Sequence, residues 1–327
     1  MTERKNVFFG RCAVLATMHG KEQAIAPVFL AALNLSVFPA RGLDTDVLGT
    51  FSGEIPRCGT ILETAVAKAR LGMDPMGLPF GIASEGSFGP HPLFSFIPGG
   101  FEVLVFVDNE RGTTIHESLV IDETNYAHLV ALPEEPIAKF LVQVGFPSHG
   151  LIVRPNVCDT EAALVKGIVD LHTLHIAFAA AAAISNDGCA RIDTDMRAHL
   201  NPTRMKSLTT LATRLSERLS SCCPSCAAPG WGRVKIIRGL PCQMCDTATE
   251  WVMIEVFGCA ACTYQEERLR TDGLTYTGPA NCPPAILRAV LAVSGLCSLP
   301  RLHMKFSFHG DQAEVKNLPH RVNNHSF

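Results

Sequence analysis

Apolar and polar residues alternate in blocks whose spacing changes along the chain. Cys12–Thr17 is a short apolar block that predicts a strand, and the block 22–33 places its apolar side chains on one face of a helix. Val37-Phe38 predicts a second short strand. The segment 39–59 is rich in Gly, Pro and acidic residues and predicts a loop. The chain therefore begins with a strand–helix–strand unit.

The clearest helical pattern begins at Thr60. Its apolar residues recur at the spacing of one buried stripe: Leu62, Ala65, Val66, Ala69 and Met73. Thr60 and Glu63 fit a capping box, in which each residue bonds the backbone N–H of the other. The pair Asp74-Pro75 predicts that this helix ends near Gly72.

The following blocks continue the alternation of strands and helices. In order, they predict a strand at 78–83 with a turn at 84–92, a hairpin of 101–107 and 113–121, a helix and strand within 134–153, a long helix at 161–184, a strand at 189–193, and a helix from Asn201-Pro202 to Ser220. This alternation predicts an α/β fold with a mixed central sheet and flanking helices.

Length and composition set the outer limits of the prediction. A chain of 327 residues with 47% hydrophobic residues is long enough for two domains with buried cores. We predict an α/β domain at 1–220, a metal-binding module at 221–285 and a weakly ordered tail at 286–327. The net charge of −3 argues against a generally basic nucleic-acid coat. The apolar runs fall short of the ~20 residues that span a bilayer, and the start is a poor secretory signal. We therefore expect a cytoplasmic protein that does not enter the membrane.

The 13 cysteines are the most informative part of the composition. An odd number without a secretory signal argues against a disulfide framework. Six of them form three Cys-x-x-Cys pairs. The spacing of the first two pairs predicts a zinc ribbon with the ligands Cys223, Cys226, Cys242 and Cys245. A second zinc site would use Cys259, Cys262 and Cys282, and its fourth ligand would come from Cys222, Cys297 or a tail histidine such as His303.

Residues 191–238 contain nine Lys and Arg residues against three acidic residues. One interpretation is a surface for phosphate groups or RNA. The alternative is a solvated helix face, and the scarcity of neighbouring aromatic residues favours it.

Three segments carry candidate chemistry. Val14–Lys21 places a lysine at a helix start after a strand, which suits anion binding. The segment 59–70 adds Glu63 and Lys68, although a capping box and a solvated lysine are the alternatives. The segment 81–90 places Glu85 beyond an apolar strand. Two carboxylates and two lysines in one cleft would suit Mg²⁺ and a polyphosphate.

These same segments resemble motifs of the inosine triphosphate pyrophosphatase-like family of nucleotide hydrolases. Val14–Lys21 is similar to the family motif V-L-A-T-x-N-x-x-K, and 59–70 is similar to G-T-x-x-x-E-N-A-x-x-K-A-R. The segment 78–88 is similar to L-P-x-I-A-D-D-S-G-L, and 201–204 is a variant of the terminal S-H-R motif. Departures occur near His19, at Thr64 and at Ser84-Glu85.

The resemblance implies a mixed-sheet α/β fold and hydrolysis of a nucleoside triphosphate to the monophosphate and pyrophosphate. It implies that Glu63 and Glu85 are the catalytic residues and hold Mg²⁺. It also implies a set of substrate-binding residues, which are Thr17, Lys21, Lys68, Ser87, Asn201 and Arg204. The whole chain, including 196–205 and the cysteine pairs, also resembles a family of domains of unknown function, which implies no activity.

Two other classes of function remain open from the sequence. One is a non-catalytic nucleotide- or RNA-binding protein that uses the zinc ribbon and residues 191–238 as its partner surface. The other is a zinc-dependent assembly module, for which an oligomer is expected.

Overall fold

The structure is a computed structural model that describes residues 6–44, 59–92, 94–158, 164–282 and 284. The first of its two compact units comprises the described residues up to Ile237 together with Ile254–Leu269. The second comprises Arg238–Met253 and the described residues from Arg270 onward. The predicted boundary at 220 does not coincide with this division, and the predicted tail at 286–327 lies outside the described residues.

The order of strands and helices follows the predicted alternation through the first half of the chain. The strands are β1 Cys12–Leu15, β2 Ser36–Pro39, β3 Phe80–Pro90, β4 Pro98–Asp108, β5 Thr113–Ile121, β6 His128–Ala131, β7 Leu151–Pro155, β8 Val165–Ile168, β9 Ala190–Thr194, β10 Gly232–Arg238, β11 Val252–Gly258 and β12 Gln265–Leu269. The helices are α1 Glu22–Leu33, α2 Ile61–Met76, α3 Ala138–Val144, α4 Leu171–Ala183 and α5 Pro202–Ser220.

The first sheet is mixed, as expected, and has the order β2-β1-β3-β4-β5. Strand β1 lies parallel to β2 and β3, while β3, β4 and β5 run antiparallel. Helix α2 covers one face, where Ala65, Ala69 and Met73 meet the β3 and β4 side chains. Helices α1 and α5 cover the other face. The connections after β1 and β2 thus cross opposite faces, which makes the carboxyl end of β1 a switch point of the kind where α/β proteins bind ligands.

A second sheet was not expected as a separate layer. It is antiparallel, with the order β6-β9-β7-β8. One of its faces is apolar through Leu151, Val153 and Ile192, and side chains of α3 and α4 cover that face. Strands β6–β9 with helices α3 and α4 therefore build a core of their own, so the single predicted central sheet is replaced by two sheets.

Three predicted segments differ from the structure, the first two because tertiary pairing overrides local signals. The predicted turn at 84–92 continues as strand β3, because β4 pairs with it as far as Pro90 and Pro98. The predicted helix at 161–184 begins only at Leu171, since 165–168 pair with β7 as strand β8. Helix α2 continues through Pro75 to Met76, beyond the predicted end at Gly72.

The predicted start of α2 is confirmed. The Thr60 side chain accepts a hydrogen bond from the Glu63 N–H at 3.2 Å, and Glu63 Oε2 accepts one from the Thr60 N–H at 2.8 Å. The start of α5 is also as expected, with Asn201 as N-cap and Pro202 in the first turn. Both starts follow from neighbouring residues alone.

Replacing Thr60 by Ala is expected to lower the free energy of unfolding by about 1 kcal/mol, because one N–H at the start of α2 loses its acceptor. Urea denaturation of the full chain measures the change. The matched control is Thr210→Ala on the exposed face of α5, expected within about 0.5 kcal/mol of the parent protein. Equal stabilities of the two variants would show that the cap contributes nothing.

No helix among the described residues combines the length and the apolar character that crossing a membrane requires.

Candidate anion site and cysteine clusters

The carboxyl end of β1 is bordered by buried charged side chains. Strand β1 pairs with β3 at Val14 and Leu15, whereas β3 continues to Pro90. The segment Ser84–Gly86 therefore runs beyond the end of β1. Lys21, at the start of α1, approaches this segment from one face of the sheet, and Lys68, on α2, approaches it from the other. Two cations from distant parts of the sequence thus converge on the switch point.

Lys21 is the most unusual of these groups. Its side chain is buried, and its Nζ donates to Ser84 O at 3.1 Å and to Ser84 Oγ at 2.8 Å. Within the described chain it forms no ion pair with a carboxylate. Burial, reinforced by the Arg204 charge, lowers the pKa of Lys21 to about 8, while Glu102 and Glu85 act in the opposite direction. The ammonium group is therefore held in the interior mainly by neutral oxygens.

Lys68 and Glu85 form a buried ion pair on the α2 face of the sheet. Lys68 Nζ lies 2.8 Å from Glu85 Oε2, and both side chains are about nine-tenths covered. Glu85 sits inside strand β3, not in the turn that the sequence predicted. The pair brings together two of the predicted site residues from different elements.

Arg204 and Glu102 form a second buried pair on the opposite face. The guanidinium donates to both Glu102 oxygens, at 3.0 and 2.8 Å, and also to Met196 O at 2.7 Å. A side chain at Gly86 would overlap the Glu102 carboxylate, so only glycine leaves room for the pair. Arg204 therefore links the start of α5 to β4.

The remaining predicted residues have different positions. Glu63 is exposed, and its bonds to Thr60 hold the pKa of its carboxyl below the ordinary value. Asn201 is fully buried as the N-cap of α5, and its amide donates to Asn125 Oδ1 at 2.8 Å. Thr17 is buried, and its hydroxyl accepts the His19 N–H, while Ser87 is exposed on β3. The two predicted Mg²⁺ ligands therefore have different partners. The Glu63 carboxylate bonds the helix cap at Thr60, and the Glu85 carboxylate forms an ion pair with Lys68.

One member of the cluster, Glu102, was missed from the sequence. Glu102 is a lone acidic residue in an apolar strand, a signal that could have been noticed. Asp195 is fully buried and pairs with Arg197, and His199 stacks on His19. The cluster has four cationic members against three carboxylates, namely Lys21, Lys68, Arg197 and Arg204 against Glu85, Glu102 and Asp195. Counted over the described residues, it therefore has an excess of one positive charge when its histidines are neutral.

The first cysteine cluster corrects the predicted ligand set. Cys223 and Cys226 meet Cys259 and Cys262, not Cys242 and Cys245. The Sγ atoms of Cys223 and Cys262 are 3.8 Å apart, and those of Cys226 and Cys259 are 3.5 Å apart. All four sulphurs lie within 4.8 Å of one another. The first Cys-x-x-Cys pair thus combines with the third, because β10, which follows the first pair, lies next to β11, which precedes the third.

The second cluster combines Cys242, Cys245 and Cys282. The Sγ atoms of Cys245 and Cys282 are 3.6 Å apart. This cluster lies in the second compact unit, whereas the first cluster lies in the first unit. Of the three candidates for a fourth ligand, Cys222 is described but does not belong to this cluster, whereas Cys297 and His303 lie outside the described residues.

The sulphur spacings distinguish a metal site from a disulfide. A disulfide requires sulphurs about 2.0 Å apart. Four sulphurs at about 2.3 Å from a tetrahedral zinc ion are about 3.8 Å from one another. The spacings of 3.5 to 3.8 Å match the second geometry, so each cluster could hold a metal ion.

The turns around the first two Cys-x-x-Cys pairs have the same local backbone geometry. Ala227 and Asp246, one residue after each pair, have positive φ, and their N–H groups bond back to Cys223 O and Cys242 O, both at 2.9 Å. In each turn the residue before the pair bridges to a residue seven positions later. Such a tight turn directs two thiols toward one point. Its geometry depends only on residues that are close to one another in the sequence.

The first cluster is attached to the α/β core. Arg218 of α5 donates to Gly230 O at 3.2 Å and to His116 O at 2.7 Å, and forms an ion pair with Glu117 at 2.9 Å. A side chain at Gly230 would collide with Ile115 of β5. The turn after Cys226 therefore lies directly against the first sheet.

The basic stretch 191–238 is largely neutralised. Six of its nine cations lie in ion pairs with carboxylates: Arg191, Arg197, Arg204, Arg218, Arg233 and Arg238. This arrangement resembles a set of structural ion pairs more than a continuous surface for phosphates.

Comparison with known proteins places the chain in a family. No curated protein matches the sequence. The family described as a domain of unknown function, DUF6671, matches residues 68–283. That segment starts at Lys68 and includes Glu85, Arg204 and both cysteine clusters. Because it covers about two thirds of the chain, the protein belongs to the DUF6671 family.

Proposed function

We propose that the cleft at the carboxyl end of β1 binds the phosphates of a nucleoside triphosphate and hydrolyses it to the monophosphate and pyrophosphate. The observation that carries the proposal is the buried Lys21 ammonium, which has no carboxylate partner in the described chain and lies beside the Lys68–Glu85 pair. A buried cation without a counter-ion is costly, and a bound anion would remove that cost.

The surroundings of Lys21 support an anion. Among the described residues, the cluster has one more cation than carboxylate, and Lys21 lies at the start of α1, the end of a helix that favours an anion. The motif resemblance places phosphates at this turn as well. Lys21 and Lys68 would contact the phosphates, while Arg204 would act by holding Glu102 and the start of α5 in position.

Mg²⁺ would be held by Glu85 together with the substrate phosphates, since this ion commonly binds one or two carboxylates and keeps phosphate and water ligands. When bound, the ion would supply charge neutralisation and activation of a water molecule. Binding would change one ion pair: Lys68 would leave the Glu85 carboxylate and contact a phosphate instead. Glu63 would not hold the ion, because its carboxylate is committed to the cap of α2.

We further propose that both cysteine clusters bind zinc, which prefers four thiolates in a tetrahedron. The first cluster would have a structural role, because it joins the β10–β12 sheet to the α/β core. RNA binding is the competing function, and the paired arginines of 191–238 weaken it.

Purified protein with Mg²⁺ is expected to release pyrophosphate from at least one member of a panel of common and deaminated nucleoside triphosphates. Glu85→Gln and Lys21→Met are each expected to lower kcat/KM by about 10²-fold or more, because each removes charge that stabilises the transition state. Glu63→Gln is expected to keep activity within about threefold.

The matched control is Lys235→Met, which removes an exposed lysine from β10 and is expected to leave activity unchanged. Full activity of Glu85→Gln would refute this site. Absence of nucleotide turnover together with salt-sensitive binding of single-stranded RNA would favour the competing function.

A further inference from the structure

Two histidines lie beside the turn that leads from β1 to α1. His19 follows β1, and His199 lies in the short turn 198–200 before α5. Their rings are stacked in parallel planes, with centroids 5.2 Å apart and an angle of 2° between planes. Gly20 has a positive φ, and a side chain there would contact the His199 Cβ at 3.5 Å. The pair is therefore fixed against the turn that leads into Lys21.

Mainly positive groups face this pair. Lys21 approaches from α1, Arg197 from the segment after β9, and Arg204 from α5. Burial and these charges lower the pKa of His19 to about 3. Burial and Arg197 lower the pKa of His199 as well, whereas Asp195 acts in the opposite direction. Both imidazoles are thus neutral at pH 7 in the anion-free protein.

We propose that the His19–His199 pair takes up one proton when a phosphate-type anion occupies the cleft, so that His19 becomes a further ligand of the anion. This inference rests on the proposed function. A nearby anion offsets the field of Lys21 and Arg204, and a protonated imidazole gains an N–H donor for an anion oxygen. Two stacked imidazolium rings would repel each other, which limits the pair to one proton.

The direction of the pH dependence follows from linkage. The pKa of His19 is about 3 in the anion-free protein, and a bound anion is expected to raise it. Between that value and the pKa of the bound state, binding takes up a proton, so the affinity rises by up to about tenfold for each unit that the pH falls. Lys21, with a pKa of about 8, is already protonated below about pH 6.5 and contributes little there.

Sulfate is a suitable probe because, unlike phosphate, it keeps a constant charge in this range. Calorimetric titration of the full chain with sodium sulfate between pH 5.5 and 6.5, in buffers of different ionisation enthalpy, counts the protons taken up. We expect more than half a proton per sulfate at about pH 6. His19→Asn is expected to bind sulfate without proton uptake, and His199→Gln is expected to keep the uptake.

The matched control is His172→Gln, which replaces an exposed histidine on α4 and should behave as the parent protein. Sulfate binding without proton uptake would overturn the inference and leave the proposed function intact. Uptake that persists in His19→Asn but disappears in His199→Gln would overturn the assignment to His19. Failure of sulfate, pyrophosphate and nucleoside triphosphates to bind at all would overturn both proposals.

Discussion

Glu102→Gln is expected to lower the free energy of unfolding by about 3–5 kcal/mol, since it leaves the Arg204 guanidinium buried without its counter-ion. Glu102 is fully buried, and Arg204 donates to both of its oxygens at 3.0 and 2.8 Å. The substitution conserves size and shape, so a cavity does not contribute. The cost comes from the uncompensated charge.

Urea denaturation of four proteins separates this cost from other effects. The set is the parent protein, Glu102→Gln, Arg204→Met and the double variant. Removing both members takes both charges out of the interior, so the double variant is expected to be more stable than Glu102→Gln. Additive losses in the double variant would show that the two side chains do not stabilise each other.

The second large effect concerns the first cysteine cluster. If the first cluster binds zinc as proposed, Cys262→Ser is expected to remove one metal ion per chain and to destabilise the protein by about 4 kcal/mol or more, because the ion would hold the β10–β12 sheet against the α/β core. Cys282→Ser is expected to remove the other ion and to leave the unfolding of the first compact unit unchanged.

Metal content by elemental analysis and thermal unfolding by circular dichroism test this pair of variants. Cys189→Ser is the matched control, because Cys189 belongs to neither cluster. Loss of both ions in each single variant would contradict two separate sites. Unchanged stability of Cys262→Ser would contradict a structural role for the first site.

The cysteine clusters illustrate how far spacing can be interpreted. Each Cys-x-x-Cys turn follows from a few neighbouring residues, and the sequence predicts all three turns. The choice of partner turn depends on how β10, β11 and β12 pair, which joins Cys223 to Cys262 across 39 positions. Spacing between the turns favours sequential partners, so the predicted ligand set of the first site was wrong.

The candidate anion site shows the same division. Motif positions predicted Lys21, Lys68 and Glu85, and the structure brings these three to one end of the sheet. Motifs did not indicate Glu102, because its role depends on Arg204, which is 102 positions away. They also assigned Glu63 to a metal, although the nearer Thr60 N–H holds its carboxylate.

The sequence by itself determined the features that neighbours can specify: the ends of α1, the N-caps of α2 and α5, the β4–β5 hairpin, and the tight cysteine turns. Hydrogen bonds and apolar periodicity within a few residues carry that information. Only the tertiary structure decided that there are two sheets, that residues 165–168 form a strand, and which buried charges and which thiols meet. Those outcomes depend on free energies of pairing between segments far apart in the chain, which a local pattern does not contain.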